Sequence, residues 1–193
     1  NAKTRIYSGL AAFVLTSVML LSGCATAAAG CSGNVAVVGG RGISQAKYAR
    51  LLKYTTNFYQ RVDQQSPYYH QVICGSTVSS ACKHLKTQLR SRVVEQQLVD
   101  EYAQTHHLTP SAADWSRAMD QERILIQRSG GYSGFSAYLR EIGMSQGQFL
   151  SIVRDQIETA KVQAKMGTSV RFQRWLRRQE HSTPIKLCPS RSR

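Results

Sequence analysis

Cysteine is the residue type with the most chemical reach in this chain. Cys24 stands apart from the other four: it closes an uncharged run, Ile6 to Gly23, that follows the basic Lys3 and Arg5. A basic start, an apolar stretch and small residues ahead of a cutting point form the layout of an export signal. Setting Cys24 aside leaves Cys31, Cys74, Cys82 and Cys188. An even set of thiols outside the reducing cytosol implies two disulfides, with three ways to connect them. Cys74 and Cys82 bracket the short polar stretch Gly75 to Ala81 and would staple the start of a helix. Cys31 and Cys188 lie beside two short β-like segments at the two ends of the domain. The favoured pairing is therefore Cys74–Cys82 with Cys31–Cys188. Zinc competes poorly, because no Cys-x-x-Cys or His-x-x-x-His spacing accompanies these residues.

Other reactive side chains form no catalytic constellation. His70, His84, His106, His107 and His181 are scattered, and the His106-His107 pair suits a solvated helix C-terminus better than a ligand set. Asp114, Asp120 and Glu122 lie near one another in sequence, but general acid–base work needs burial and a pocket, and a solvated face is the simpler reading. Gly39-Gly40-Arg41-Gly42 lacks the trailing Lys-Ser/Thr of a phosphate loop. Ser44 has neither a base nor an elbow signature beside it. The expectation is a protein that is not an enzyme and needs no cofactor and no metal.

The stretch Leu21-Ser22-Gly23-Cys24 resembles the lipobox of bacterial lipoproteins. That resemblance implies a diacylglycerol on the Cys24 thiol, cleavage before it, and an acyl chain such as palmitate on the new amino terminus. Two or more acyl chains anchor a domain stably. Two other readings stay open: an uncleaved signal anchor, since the apolar run is marginally long enough to span a bilayer, and a buried core helix. The chain opens on Asn rather than Met, so a little of the N-terminus is expected to precede it. Loss of Lys3 and Arg5 with a leader takes Lys+Arg from 25 to 23 against 11 Asp+Glu. Outside the membrane the counterparts of such a surplus are anionic headgroups and acidic wall polymers rather than nucleic acid. It is densest at the end, where Arg171, Arg174, Arg177, Arg178, Lys186, Arg191 and Arg193 face only Glu180. A solvated helix face is the plainer account of that cluster.

The rest of the chain reads as helices with short ends of strand. Residues 1–23 are the leader or anchor, 24–34 a small, polar tether, 35–188 one domain and 189–193 a basic tail. Val35 to Val38 with Gly39-Gly40 reads as a strand and turn. Ser44 then caps a helix carrying Tyr48, Leu51, Leu52, Phe58 and Tyr59. Gln64 to Gly75 is loop. A long helix from about Val78 to His106 places Leu85, Leu89, Val93, Leu98, Val99 and Tyr102 on one stripe. Thr109-Pro110 signals the next helix, with Trp115, Met119, Ile124 and Ile126, ending near Gly130-Gly131. A short helix with Phe135, Tyr138, Leu139 and Ile142 stops at Gly143. Ser145 and Gln148 match a capping box for the helix that follows. Gly167-Thr168-Ser169 breaks that helix, a last one carries Phe172, Trp175 and Leu176, and Ile185 to Cys188 can form a strand. The fold class is mainly α, with a minor two-stranded ribbon made by the two ends of the domain.

That order of elements is similar to the N-terminal chaperone domain of the SurA/PrsA foldase family. The carrying stretches are VAVVGGRGISQAKYARLL, LRSRVVEQQLVDEYAQTHHLTPSAADW, GGYSGFSAYLREIGMSQGQFLSIVRDQIETAKVQAKM and FQRWLRRQEHSTPIKLC, in the family's order across residues 35–188. In these foldases a parvulin-type prolyl isomerase domain commonly sits between the long helix and the closing one. Here only Met166-Gly167-Thr168-Ser169 occupies that junction, too short to fold alone. The resemblance implies a membrane-tethered, extracytoplasmic holdase that binds unfolded or nascent exported polypeptides in an apolar groove. Tyr48, Phe58, Tyr59, Met119, Met144 and Met166 are its candidate lining, since aromatics and pliable methionines suit a site with little sequence preference. The alternative is a structural or assembly subunit that uses the same surface for one partner in a membrane complex.

Overall fold

The computed structural model describes residues 30–62, 71–74, 78–128 and 134–189. Cys24, the leader and most of the expected tether lie outside the described residues, as do Gly130-Gly131 and the end of the basic tail. Within them the chain is mainly helical, with one small antiparallel sheet.

The sheet is built from β1 (Asn34–Val38), β2 (Arg41–Ser44) and β3 (Ile185–Leu187), in the order β2-β1-β3. Val38 pairs with Arg41 across Gly39 and Gly40, whose φ angles of 54° and 83° are the two positive values that a tight hairpin of matching twist demands. β3 returns from the far end of the sequence, setting Val38 against Ile185 and Ala36 against Leu187. The expected pairing of the two ends is therefore present, and β2 adds a third strand. Arg41 and Gly42 are poor strand formers, so the sequence hid β2; the turn and its neighbour decide the pairing instead. Cys31 is joined to Cys188 with their Cα atoms 5.3 Å apart, and Cys74 to Cys82 at 5.4 Å.

Ser44 ends β2 and caps α1 (Gln45–Asn57), its hydroxyl accepting from the Lys47 amide at 3.1 Å. One turn of π-helix, Phe58–Val62, continues α1. α2 (Ser80–Thr105) begins later than the pattern suggests, because Val78 forms an isolated bridge with Cys74 while Ser79 caps the helix. At 1.5 Å per residue its 26 residues run about 39 Å. Its buried stripe serves two cores. Leu85, Leu89, Val93, Val94 and Leu98 pack with the sheet and Tyr48; Val99 and Ala103 pack with Val162, Phe172, Trp175 and Leu176.

α3 (Ala112–Arg128) is capped by Ser111, two residues past Thr109 of the Thr109-Pro110 start signal. Ser111 and Asp114 satisfy each other reciprocally: the Ser111 amide donates to the Asp114 carboxylate at 2.9 Å and the Asp114 amide to Ser111 Oγ at 3.3 Å. α4 (Phe135–Ile142) ends at Gly143, left-handed at φ 71°. α5 (Gln146–Met166) has the expected Ser145/Gln148 capping box. α6 (Ser169–Ser182) starts from Thr168, so two residues separate it from α5. A third core joins Val62, Leu139, Ile142, Phe149, Val153 and Ile157, with Phe135 edge-on to Phe149 at 4.8 Å.

The two disulfides close loops of very different length, 157 and 8 residues. A longer closed loop removes more entropy from the unfolded chain. Replacing Cys31 and Cys188 together by alanine is thus expected to cost about 2–3 kcal/mol more unfolding free energy than replacing Cys74 and Cys82. Urea unfolding of the two double variants checks this, and equal losses would refute it.

Candidate functional site

An open groove of about 860 Å³ runs between α1 and α5, floored by α2 and bordered by α4 and α6. One flank is apolar. Leu51, Tyr54, Phe58 and Tyr59 come from α1 and its π-turn, and Tyr138, Ile142 and Met144 come from α4 and its exit. The π-turn inserts an extra residue per turn, which re-aims the side chains that follow it. Phe58 and Tyr59 meet edge to face at 5.7 Å there. The amide of Asn57 ties this flank together by donating to the Ile142 carbonyl at 2.9 Å, one of the carbonyls that the end of α4 leaves open. Gly143 is required beside it: a Cβ there would lie 3.2 Å from the Asn57 amide nitrogen, and φ is positive.

The α5 flank carries a line of amides. Gln148, Ile152, Gln156, Thr159 and Gln163 recur on α5 at three- and four-residue steps, a stripe alongside the core residues Phe149, Val153 and Ile157. Gln96 ties α2 to α5. Its nitrogen donates to Asp100 Oδ1 at 2.7 Å and to the Asp155 carbonyl at 3.3 Å, and its oxygen accepts from Thr159 Oγ1 at 3.3 Å. Gln163 and Gln173 have no side-chain hydrogen bond among the described residues, so their amides can serve a guest.

Burial pushes the Asp155 carboxyl above its ordinary value, and the nearby Asp100 adds to the rise; Lys47 and Arg154 oppose it. Glu95, also in the lining, is raised by burial and then by Glu180 of α6. Glu158 is raised by burial and by Asp100. Lys47, Arg50 and Arg92 supply positive charge along the same groove.

Of the residues expected to line a groove, Phe58, Tyr59 and Met144 do so. Tyr48 does not: it is buried in the sheet core, its hydroxyl donating to the Lys86 carbonyl at 2.9 Å. A tyrosine with one end anchored this way fills space between α1 and α2 rather than facing a guest. Met119 packs on the α4–α5 core and Met166 on the α6 core, so the helical stripes that carry them claim both. The α5 amide stripe escaped sequence reading. Its spacing was visible, but glutamine on a helix reads as a solvated face until a neighbour rises beside it.

His70 lies outside the described residues, and several of the other candidates set aside for catalysis are engaged by neighbours of their own. Asp114 is held by Lys161 at 2.8 Å and by Ser111, which together keep its carboxyl well below the ordinary range. Asp120 pairs with Arg123. Burial raises Glu122, against a hydrogen bond from Gln156. His106 lies against Tyr102 at the end of α2, ring centres 4.0 Å apart and planes tilted by 58°. Among the described residues no group of three His, Cys, Asp or Glu could hold a metal ion, and no helix is long and apolar enough to cross a membrane.

Residues 1–163 match a family described as the SurA-like N-terminal domain. The chain belongs to that family. No curated protein and no solved structure matches it. The matched residues include the sheet hairpin, α1 to α4 and most of α5, hence nearly every wall of the groove. α6 and β3 of this SurA-like domain lie beyond the match.

Because Asp155, Glu95 and Glu158 bind their protons more tightly folded than unfolded, the native state carries more protons between the ordinary and the raised values. Stability from these groups therefore falls as pH rises through that window, starting from 3.8 for Asp155. Asp155→Asn is expected to flatten this fall, measured as the urea midpoint across acid pH. An unchanged slope would exclude Asp155 as a contributor.

Proposed function

We propose that this SurA-like domain holds unfolded or nascent exported polypeptides in the α1–α5 groove, without catalysis, from the extracytoplasmic face of a bacterial membrane. The groove is the observation that carries the reading. It faces an apolar, partly aromatic flank with a stripe of amides, so a guest could bury side chains against one side and satisfy its peptide groups at the other. Neither interaction asks for a particular guest sequence, and Met144 adds a pliable surface. Membership of the SurA-like family supports a chaperone role in general terms.

Three further observations support the finer reading. The two residues between α5 and α6 leave no space for the isomerase domain that commonly occupies this position in the related foldases. Two joined cysteine pairs suit an oxidising compartment. The lipobox-like Leu21-Ser22-Gly23-Cys24 supplies the tether, and a tether raises the local concentration of a weak binder where translocated chains emerge.

Unrelated apolar peptides are expected to bind with micromolar affinity and to compete with one another. Ile152→Glu places a charge in the lining at a residue outside the three cores, and should weaken all of them about tenfold, equal to about 1.4 kcal/mol. Fluorescence anisotropy with several labelled peptides measures this. No binding, together with fixed-stoichiometry copurification with one membrane assembly, would replace the holdase by a structural or assembly subunit.

The tether has its own test. Intact mass of the protein extracted from its native membrane should correspond to a chain beginning at an acylated Cys24. A mass that retains residues before Cys24 refutes lipidation and leaves a signal anchor.

A further inference from the structure

α6 carries its cations on the side turned away from the fold. Phe172, Trp175 and Leu176 are buried against α2 and α5, and a helical turn of 3.6 residues then sets Arg174 and Arg177 opposite them, in a row with Arg178, and Arg171 on the adjoining flank. All four are exposed, and no ion pair among the described residues engages them. The acid of this helix, Glu180, lies off that row, on the side where it acts on Glu95. Val170, 63% exposed, shares the cationic face, and Lys186 is exposed on β3 just beyond. Arginines three and four apart repel one another and weaken a helix unless opposite charge meets them.

The way the chain enters the fold decides which anion meets them. Gly30 precedes Cys31, and Cys31 is bonded to Cys188 at the end of β3, the strand that follows α6. From Cys24 to Gly30 the chain reaches at most about 20 Å. On the tether reading proposed above, the apolar run Ile6 to Gly23 or an acylated Cys24 holds this corner of the fold close to a bilayer. Guanidinium groups pair with phosphate in a forked geometry.

We propose that the exposed face of α6, Arg171, Arg174, Arg177 and Arg178 with Lys186, docks on an anionic lipid surface. This goes beyond the groove reading and does not depend on what the groove holds; membrane attachment near Cys24 supplies its orientation. Docking would fix the domain against the membrane instead of leaving it to swing on its tether.

The full chain, reconstituted in vesicles of phosphatidylcholine alone or with phosphatidylglycerol added, tests this through arginine modification by phenylglyoxal read by mass spectrometry. Arg117, exposed on α3, serves as the reference. The α6 arginines should react about fivefold more slowly relative to Arg117 in the anionic vesicles than in the neutral ones, and salt should erase the difference. In Arg174→Glu with Arg178→Glu, the shielding of Arg171 and Arg177 should vanish while the circular dichroism melt is kept. Equal rates in both vesicles overturn the proposal. So does shielding by a soluble acidic polymer with none from anionic vesicles, which would make the face a polyanion site. Failure of the chain to associate with neutral vesicles counts against the tether alone, since shielding in the anionic ones still decides the face.

Discussion

The continuous buried stripe of α2 is the constraint on which the rest of the domain depends. One helix about 39 Å long cannot be covered by any single neighbour, so it is shared: the sheet and α1 take its first half, α5 and α6 its second. α1 and α6 each pack on α2 without a comparable contact to each other, and α1 reaches α4 rather than α5. The groove is the space this arrangement leaves above the middle of α2. It is a consequence of how the core is divided, and no separate element was needed to make it.

Keeping such a space open requires that α1 not collapse onto α5. Two features hold them apart. The Asn57 amide reaches the Ile142 carbonyl beside Gly143 and commits the end of α1 to α4. On the opposite side, Gln96 binds Asp100, Thr159 and the Asp155 carbonyl, committing α5 to α2 through polar groups. Those groups would lose their partners or their hydration if an apolar helix closed over them. The raised carboxyl of Asp155 records the partial desolvation already present. A groove with one dry flank and one polar flank is therefore stable against its own closure, yet still apolar enough to receive side chains.

Much of this was legible in the sequence wherever local chemistry decides the outcome. The Ser145/Gln148 box, Gly143, the Ser44 cap and the core stripes of α2 and α5 follow from residue type and spacing alone. The third strand and the roles of Tyr48, Met119 and Met166 did not, because each depends on what packs opposite. Arg41 and Gly42 become strand only once β1 lies beside them. Tyr48 becomes core because Lys86 offers a carbonyl within reach. The groove amides carry the same lesson in reverse: Gln156 and Gln163 look like solvent-facing residues until α1 stands across from them.

The closing of the sheet by β3 ties these levels together. β3 pairs with β1, and Cys188 is fastened both to Cys31 and, through its amide, to the Val35 carbonyl at 2.9 Å. This makes the end of the domain a structural partner of its beginning. α6 therefore cannot drift from α2 without stretching the sheet, and Phe172 and Leu176 remain as the far wall of the groove. The same closure sets the strand that follows α6 beside the point where the chain enters the fold, because Cys188 is bonded to Cys31. A single helix thus buries one face against α2 and α5 and leaves its arginines at exposed positions. That division explains why α6 can carry so many like charges without disturbing the core it completes.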